Sequence, residues 1–457
     1  MKTRRVISSK ASAIGRLSLV SLFLLLLWSL FFAFSARPMQ DDYVYLNLLS
    51  RNGYSGLISY LWNTNGGNLA SPLIRMIFYV PSLSGTSYVG LMLLSLITQL
   101  LVFICAILVS IWISGKPFLH HSGLHILCGA TTVFGFEGIF TPGLTGSYNF
   151  SAAAGLHVWP ILLSIIAAAF LFNKPGFIFF AFPLGIFIGN CGLAEGLTSF
   201  IVFFFITVIP HRFSWSRLFP NTQRLASAML AFGIFSGLSI TLISPGIRIR
   251  SKAQVGIPRD FFEFMRNLRS AVVAFTGDIL SHPGWVLIFI LGCYFSSRFG
   301  TSSIQVRRIS FLFLVVAILL MGLILGAAFG YAAWHQSLGI YTLLTESFFY
   351  LGIVFARKKE IAYQRILLVC MILLITIQSL LVVRATILAQ SRSFRWDSNL
   401  AINSCNIYSG NTDDLLGAEL TYPPLGLGVT DIARWTWMKN DYISWVSTKN
   451  FRSKTSC

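Results

Sequence analysis

Long apolar runs separated by short basic loops set the pattern of this chain. The first run, roughly Leu17 to Ser35, carries no charge over about 20 residues, enough to cross a bilayer as a helix. Further runs fall near 87–114, 123–141, 149–172, 175–190, 195–210, 224–244, 271–296, 308–330, 337–356 and 361–386. The pattern predicts an all-α, polytopic membrane protein with about eleven transmembrane helices. Behind the first run, 41–68 is half polar, which predicts two short amphipathic helices, 41–51 and 55–63, broken at Asn52-Gly53. They would lie on the outer membrane surface with Tyr43, Tyr54, Tyr60 and Trp62 at headgroup level. Asn65-Gly-Gly-Asn68 reads as a turn, and Ser71-Pro72 opens another helix, to about Val80, with proline near its first position. That helix is short for a span and carries Arg75, so it is expected to be half-inserted from the outer side.

Charge orients this arrangement. With the N-terminus inside, the loops 115–122, 173–174, 211–223, 297–307 and 357–361 fall in the cytoplasm. They hold Lys116, Lys174, Arg212, Arg217, Arg298, Arg307, Arg357, Lys358 and Lys359, with Glu360 as the acidic exception. Such an excess of cations is what cytoplasmic loops carry. The same parity puts the first loop, 37–86, together with 245–270, 331–336 and 387–457 on the outer face. The apolar run behind Lys2, Arg4, Arg5, Lys10 and Arg16 is longer than a signal-peptide core, so it reads as an uncleaved anchor despite a cleavage-like Ala33-Phe-Ser-Ala36.

Composition supports the membrane class. Only 11% of residues are charged, 55% are hydrophobic, and the mean hydropathy is +0.73. A soluble domain carries about 25% charged residues. The formal charge of +19 would suggest nucleic acid in a soluble protein. Here topology accounts for it, and no nucleic-acid partner is expected. The chain divides into a polytopic domain, 1–386, and an outer tail, 387–457, rich in tryptophan and turn formers. The tail is small for an independent core and is expected to pack on the outer loops. Cys105, Cys128, Cys191, Cys293 and Cys370 lie in apolar runs as packing residues, whereas Cys405 and Cys457 could pair if the tail meets an oxidising compartment.

Phosphate loops, zinc-protease and nucleophile-elbow motifs and paired Cys–His metal spacings are absent from the sequence. The polar groups gather instead on the outer face. Asp41 and Asp42 follow the first span, where two adjacent carboxylates repel and draw a cation or a proton. Asn68 and Arg75 lie about two helical turns apart. Thr145-Gly-Ser-Tyr148-Asn149 leads through His157 to Trp159-Pro160, and Gly189-Asn-Cys-Gly-Leu-Ala-Glu195 turns one span into the next. Finally, Ser244-Pro-Gly-Ile-Arg248-Ile-Arg250 reads as a turn followed by outer-face cations, against the topology rule, for which an anionic ligand is the simplest reason. Plainer roles are open: Arg248, Arg250 and Lys252 could touch lipid headgroups, Glu195 could be an interhelical hydrogen-bonding group, and His157 could be a packing histidine. The acidic pair could simply end a helix in water.

These motifs carry a resemblance. An N-terminal span, an acidic pair opening a long outer loop with surface helices, and about eleven spans resemble the GT-C superfamily of integral-membrane glycosyltransferases. DDYVY, TGSYNF, NCGLAEG, SPGIRIR and the tryptophan-rich ending through Asn440 and Trp445 resemble a bacterial polytopic group related to serotype-converting glucosyltransferases. Ile247 stands where that group usually has asparagine. The resemblance implies transfer of a sugar from a polyprenyl-phosphate donor to a cell-surface glycan or glycolipid, such as lipopolysaccharide. It places the protein in the inner (plasma) membrane, N-terminus cytoplasmic, active site and C-terminus on the periplasmic face. A first-loop aspartate, Asp42 with Asp41 beside it, would act as general base or hold a divalent metal ion. Arg75, Arg248 and Arg250 would bind the donor phosphate, and Asn68, Tyr148, Asn149, His157 and Glu195 would line the sugar pocket. The rival class is a transporter or flippase for a lipid-linked saccharide, which would spread polar residues along several spans and show internal pseudo-symmetry.

Overall fold

The computed structural model describes residues 34, 41–83, 89–114, 157–173, 175–208, 221–253, 260–281, scattered positions from 286 to 394, 397–413, 415 and 436–448. Among the described residues the regular structure is helical, without strands. One helix, Arg224–Ile243, is long and apolar enough to cross a membrane by length and composition, and shorter apolar helices surround it. The runs read at 17–35, 123–141 and 308–386 lie outside the described residues, apart from scattered positions.

Helix α1 (Asp41–Asn63) is the acidic-pair segment. It kinks at Gly53, whose φ of 61° and ψ of −164° are open to glycine and strained for other residues. Two helical stretches thus meet at a non-helical Gly53, at the Asn52-Gly53 break the sequence predicts. A turn follows in which Gly66 and Gly67 both have positive φ (93° and 75°). Helix α2 (Ala70–Leu83) then carries Arg75, with Ser71 and Pro72 in its first turn.

Helix α3 (Val89–Ser114) runs beside α4 (Trp159–Asn173). The Trp159 indole donates to Thr98 Oγ1 (3.0 Å), and the Cys105 thiol donates to the Leu162 carbonyl (3.3 Å). After a 3₁₀ turn at Pro175–Phe177 come α5 (Ile178–Cys191), α6 (Leu193–Val208) and α7 (Asn221–Ile243). The closest of these contacts joins α5 to α7 through Gly185, Gly189, Gly233 and Gly237. A Cβ at any of the four would overlap backbone of the opposite helix, at Leu230, Ile234, Phe182 and Ile186 respectively. Small residues four apart on both helices are what let two backbones approach this closely. A core of Leu171, Ile188, Phe203, Leu230, Ile234 and Leu238 fills the space around them.

Two expectations for the next stretch need correction. Ser244-Pro-Gly does not open a loop: Pro245 begins a helix, α8 (Pro245–Ala253), whose Ile247 N–H donates to Ser244 Oγ (3.3 Å). Proline suits a first helical position because it lacks an N–H that would go unbonded there. Helix α9 (Phe261–Ser281) starts inside the stretch read as outer loop, capped by Asp260, whose carboxylate accepts from the Glu263 N–H (2.7 Å).

The 387–457 tail packs on the 41–63 segment. Helix α10 (Thr436–Thr448) lies against α1, with Tyr43 and Tyr442 edge to face at 5.2 Å. Asn47 donates to Asp441 (2.8 Å) and accepts from Ser444 (2.8 Å), and Arg51 also donates to Ser444. Tyr43 is thus a core residue and not a headgroup contact, unlike Tyr54, which is exposed. Asn403 donates to the Tyr442 hydroxyl (3.1 Å). Burial pushes that hydroxyl up to about 12, so the interface keeps its proton throughout the physiological range. Cys405 is disulfide-bonded, whereas Cys105, Cys191 and Cys293 are free and buried.

Candidate active site

Next to the 64–69 turn α1 packs on α2, α2 on α5 and α5 on α6, and five residues named from the sequence, Asp42, Asn68, Arg75, His157 and Glu195, lie on or beside these elements. Arg75 is fully buried, 0% exposed, which is rare for an arginine. Its guanidinium carbon stands 5.3 Å over the Tyr45 ring, and Nε donates weakly to the Ser71 carbonyl (3.4 Å). Both terminal nitrogens lack a hydrogen-bond partner among the described residues. Glu195, 1% exposed, sits in the first turn of α6, where the helix dipole favours an anion. One carboxylate oxygen is 2.8 Å from His157 Nδ1, and the other has no partner among the described residues. His157, just before α4, is thereby tied to α6 through a buried acid, the interhelical bond open as the plainer role of both residues.

Cys191, read from the sequence as packing, is a free thiol buried at the end of α5, next to Asn190. Asn68 Oδ1 and Ser71 Oγ are also buried without a partner among the described residues. Asp42 is fully buried on α1. It lies one turn before Tyr45 and so on the same helix face, the face over which Arg75 sits.

What sets this geometry is Asn190. Its Oδ1 accepts from the Leu69 and Ala70 N–H groups (both 2.9 Å), capping α2 from another helix. Its amide donates to the Gly67 carbonyl and to Thr241 Oγ1 (both 3.0 Å). One side chain thereby ties the 64–69 turn, α2, α5 and α7 together. Asn65 adds a bond to the Tyr45 hydroxyl (2.8 Å), holding the ring under Arg75. From the other side α8 closes on the turn, since a side chain at Gly246 would run into the backbone of Asn65 and Gly66.

Other named residues are placed elsewhere. Arg248 is exposed on α8, in contrast to Arg75. The side chains of Asp41 and Arg250, and Tyr148 and Asn149 altogether, lie outside the described residues. A divalent cation needs several oxygen ligands. Among the described residues no three His, Cys, Asp or Glu side chains converge to supply them. Asn190, Cys191, Tyr45 and Ser71 were missed as site residues. For the first two the signal was their place in the same Gly189–Glu195 turn as the acid.

No protein-family model, curated protein or solved structure matches this chain.

Proposed function

We propose that the protein is a membrane glycosyltransferase of the GT-C type, moving a sugar from a polyprenyl-phosphate donor to a cell-surface glycan or glycolipid on the outer face. The observation that carries this reading is the buried Arg75, whose two terminal nitrogens present paired donors with no protein acceptor among the described residues. A guanidinium in that state fits a phosphate, which accepts both bonds in one plane.

The reaction follows from the neighbours. Asp42 takes the proton of the acceptor hydroxyl, and that oxygen attacks the anomeric carbon. The bond from that carbon to the phosphate oxygen breaks, its electron pair leaving on the phosphate, with inversion at the carbon. Arg75 stabilises the charge that grows on the departing phosphate. Arg248 and Arg250, on α8, would meet the lipid-phosphate end from outside the buried cluster.

About eleven spans are proposed, and the membrane setting draws support from the surfaces of α5 and α7. Phe179, Phe180, Phe232, Phe235, Leu242 and Ile243 are all exposed. The half-buried Ser236 and Ser239 turn their hydroxyls back onto the Phe232 and Phe235 carbonyls (2.9 and 2.8 Å). Hydroxyls facing hydrocarbon have no water to bond and do this. The disulfide at Cys405 suits a tail in an oxidising compartment. With the N-terminus in the cytoplasm, a cysteine at the exposed Ser409 should react with an impermeant thiol reagent from outside, and one at Ser302 should not. Labelling of both, or the reverse pattern, would break the span count.

The chemistry is tested with Arg75→Lys. Lysine keeps the charge and loses the fork, so turnover should fall by about 10²-fold. Donor binding should weaken far less, because the phosphate charge is greatest as the sugar leaves. The assay is transfer from a purified lipid-linked sugar, with donor binding measured in parallel. Normal transfer by the variant would sink the phosphate role of Arg75. Lipid-linked sugar crossing the bilayer without transfer to any acceptor would favour a flippase.

A further inference from the structure

At its start α9 presents the wrong side outward for a helix in water. Spacings of three and four residues place Phe261, Met265, Leu268 and Val272 in one row and Phe262, Arg266, Arg269 and Val273 in the next. These two rows face out: Phe261 is 70% exposed and Phe262 83%, and Met265, Arg266, Arg269, Val272 and Val273 are exposed as well. Glu263 and Asn267, on the opposite side, are half-buried. An apolar row beside a basic one is the pattern of a helix lying in a membrane interface, rings toward the acyl chains and cations toward the headgroups. Charge decides the kind of headgroup. The stretch 245–270 holds six lysines and arginines against two acids, Asp260 and Glu263. Glu263 accepts from Arg266 (3.2 Å), whereas none of the residues three or four positions from Arg269 is acidic.

Beyond the transfer reaction, we infer that the first turns of α9 are a docking surface for anionic phospholipids. Phe261, Met265 and Val272 enter the acyl layer, and the Arg266 and Arg269 guanidiniums meet headgroup phosphates. A phospholipid brings an apolar chain and an anion to the same edge of the helix, which matches both rows at once. The apolar row also runs on into the stretch read as a span from 271, so the surface leads the chain from headgroup level into the bilayer. Each arginine near an anionic surface contributes about fivefold to this attraction.

The test uses the full chain in nanodiscs of phosphatidylcholine, alone or mixed with phosphatidylglycerol. It needs no sugar donor, so its outcome is independent of the transfer assay. Met265→Cys lies in the apolar row and Ser270→Cys on the opposite side of the helix. Modification by a neutral, membrane-impermeant maleimide is followed for each, with the parent chain as baseline for the native cysteines. Met265→Cys should react about tenfold or more slowly in the discs with phosphatidylglycerol than in phosphatidylcholine alone. Ser270→Cys should react at the same rate in both. Adding Arg266→Gln and Arg269→Gln to Met265→Cys should erase the lipid dependence, while Arg266→Lys with Arg269→Lys should keep most of it, since attraction to a charged surface needs charge more than shape. Both arginines are exposed, so these changes leave the packing of the chain in place. Equal rates for Met265→Cys in the two lipids, or a lipid dependence that survives the glutamine changes, would overturn the assignment. So would protection that appears only with two copies in one disc, which would make this face a contact between chains.

Discussion

Asp42→Asn is expected to lower sugar transfer by about 10²–10⁴-fold, the range for loss of a general base. Asparagine matches aspartate in size and still accepts a hydrogen bond, so the change removes negative charge and basicity with little change of shape. Its position makes the test sharp. Asp42 is fully buried at the start of α1, on the face that carries Tyr45, and Tyr45 lies under the Arg75 guanidinium. Abundance in the membrane and melting temperature should stay close to wild type, which separates chemistry from folding. Donor binding should change little, because the base acts on the acceptor and not on the phosphate. Full transfer by the variant would leave Asp42 as a buried structural acid of α1, and the same measurement would then pass to Asp41.

Gly189→Leu is expected to have the largest effect on stability. The α5–α7 contact is backbone against backbone, and a single Cβ at Gly189 already overlaps the Ile234 carbonyl. Overpacking in a filled interior costs about 1–3 kcal/mol and sometimes more. Leucine at this point has no relaxed rotamer short of separating the helices. Separation would also move Asn190, the next residue, whose four hydrogen bonds hold the Arg75 helix and the 64–69 turn. The variant should therefore lose both thermal stability and transfer, with Gly189→Ala intermediate. Detergent extraction followed by thermal unfolding reads this directly. Wild-type melting of Gly189→Leu would show that the two helices do not meet at their glycines.

Where the chain speaks through local signals, the sequence could be read closely. The break at Asn52-Gly53, the start of α2 near Ser71-Pro72 and the limits of α5, α6 and α7 follow from glycine, proline and uninterrupted apolar runs. Helix α9 was missed at its start because Phe261-Phe-Glu-Phe-Met-Arg-Asn-Leu-Arg269 mixes charge and apolar residues too evenly to count as a span. The orientation of Arg248 turned on whether Pro245 ends a span or begins a helix, and the Pro-Gly pair is compatible with both. Asn190 had no local signal at all. Its partners at Leu69 and Ala70 lie 121 and 120 residues away, and only the fold brings a helix start within reach of its side chain. The pairing of His157 with Glu195 is of the same kind, set by the approach of α4 to α6.

The contact between α1 and α10 joins residues made far apart in time. Asn47 and Asp441 are 394 residues apart. At about 5–20 residues per second, roughly 20–80 s separate the emergence of one from that of the other. Over that interval the Tyr43–Asn47–Arg51 side of the helix has no partner from α10. The helix that bears Asp42 thus waits for the synthesis of α10 to gain this packing, and its maturation follows that step.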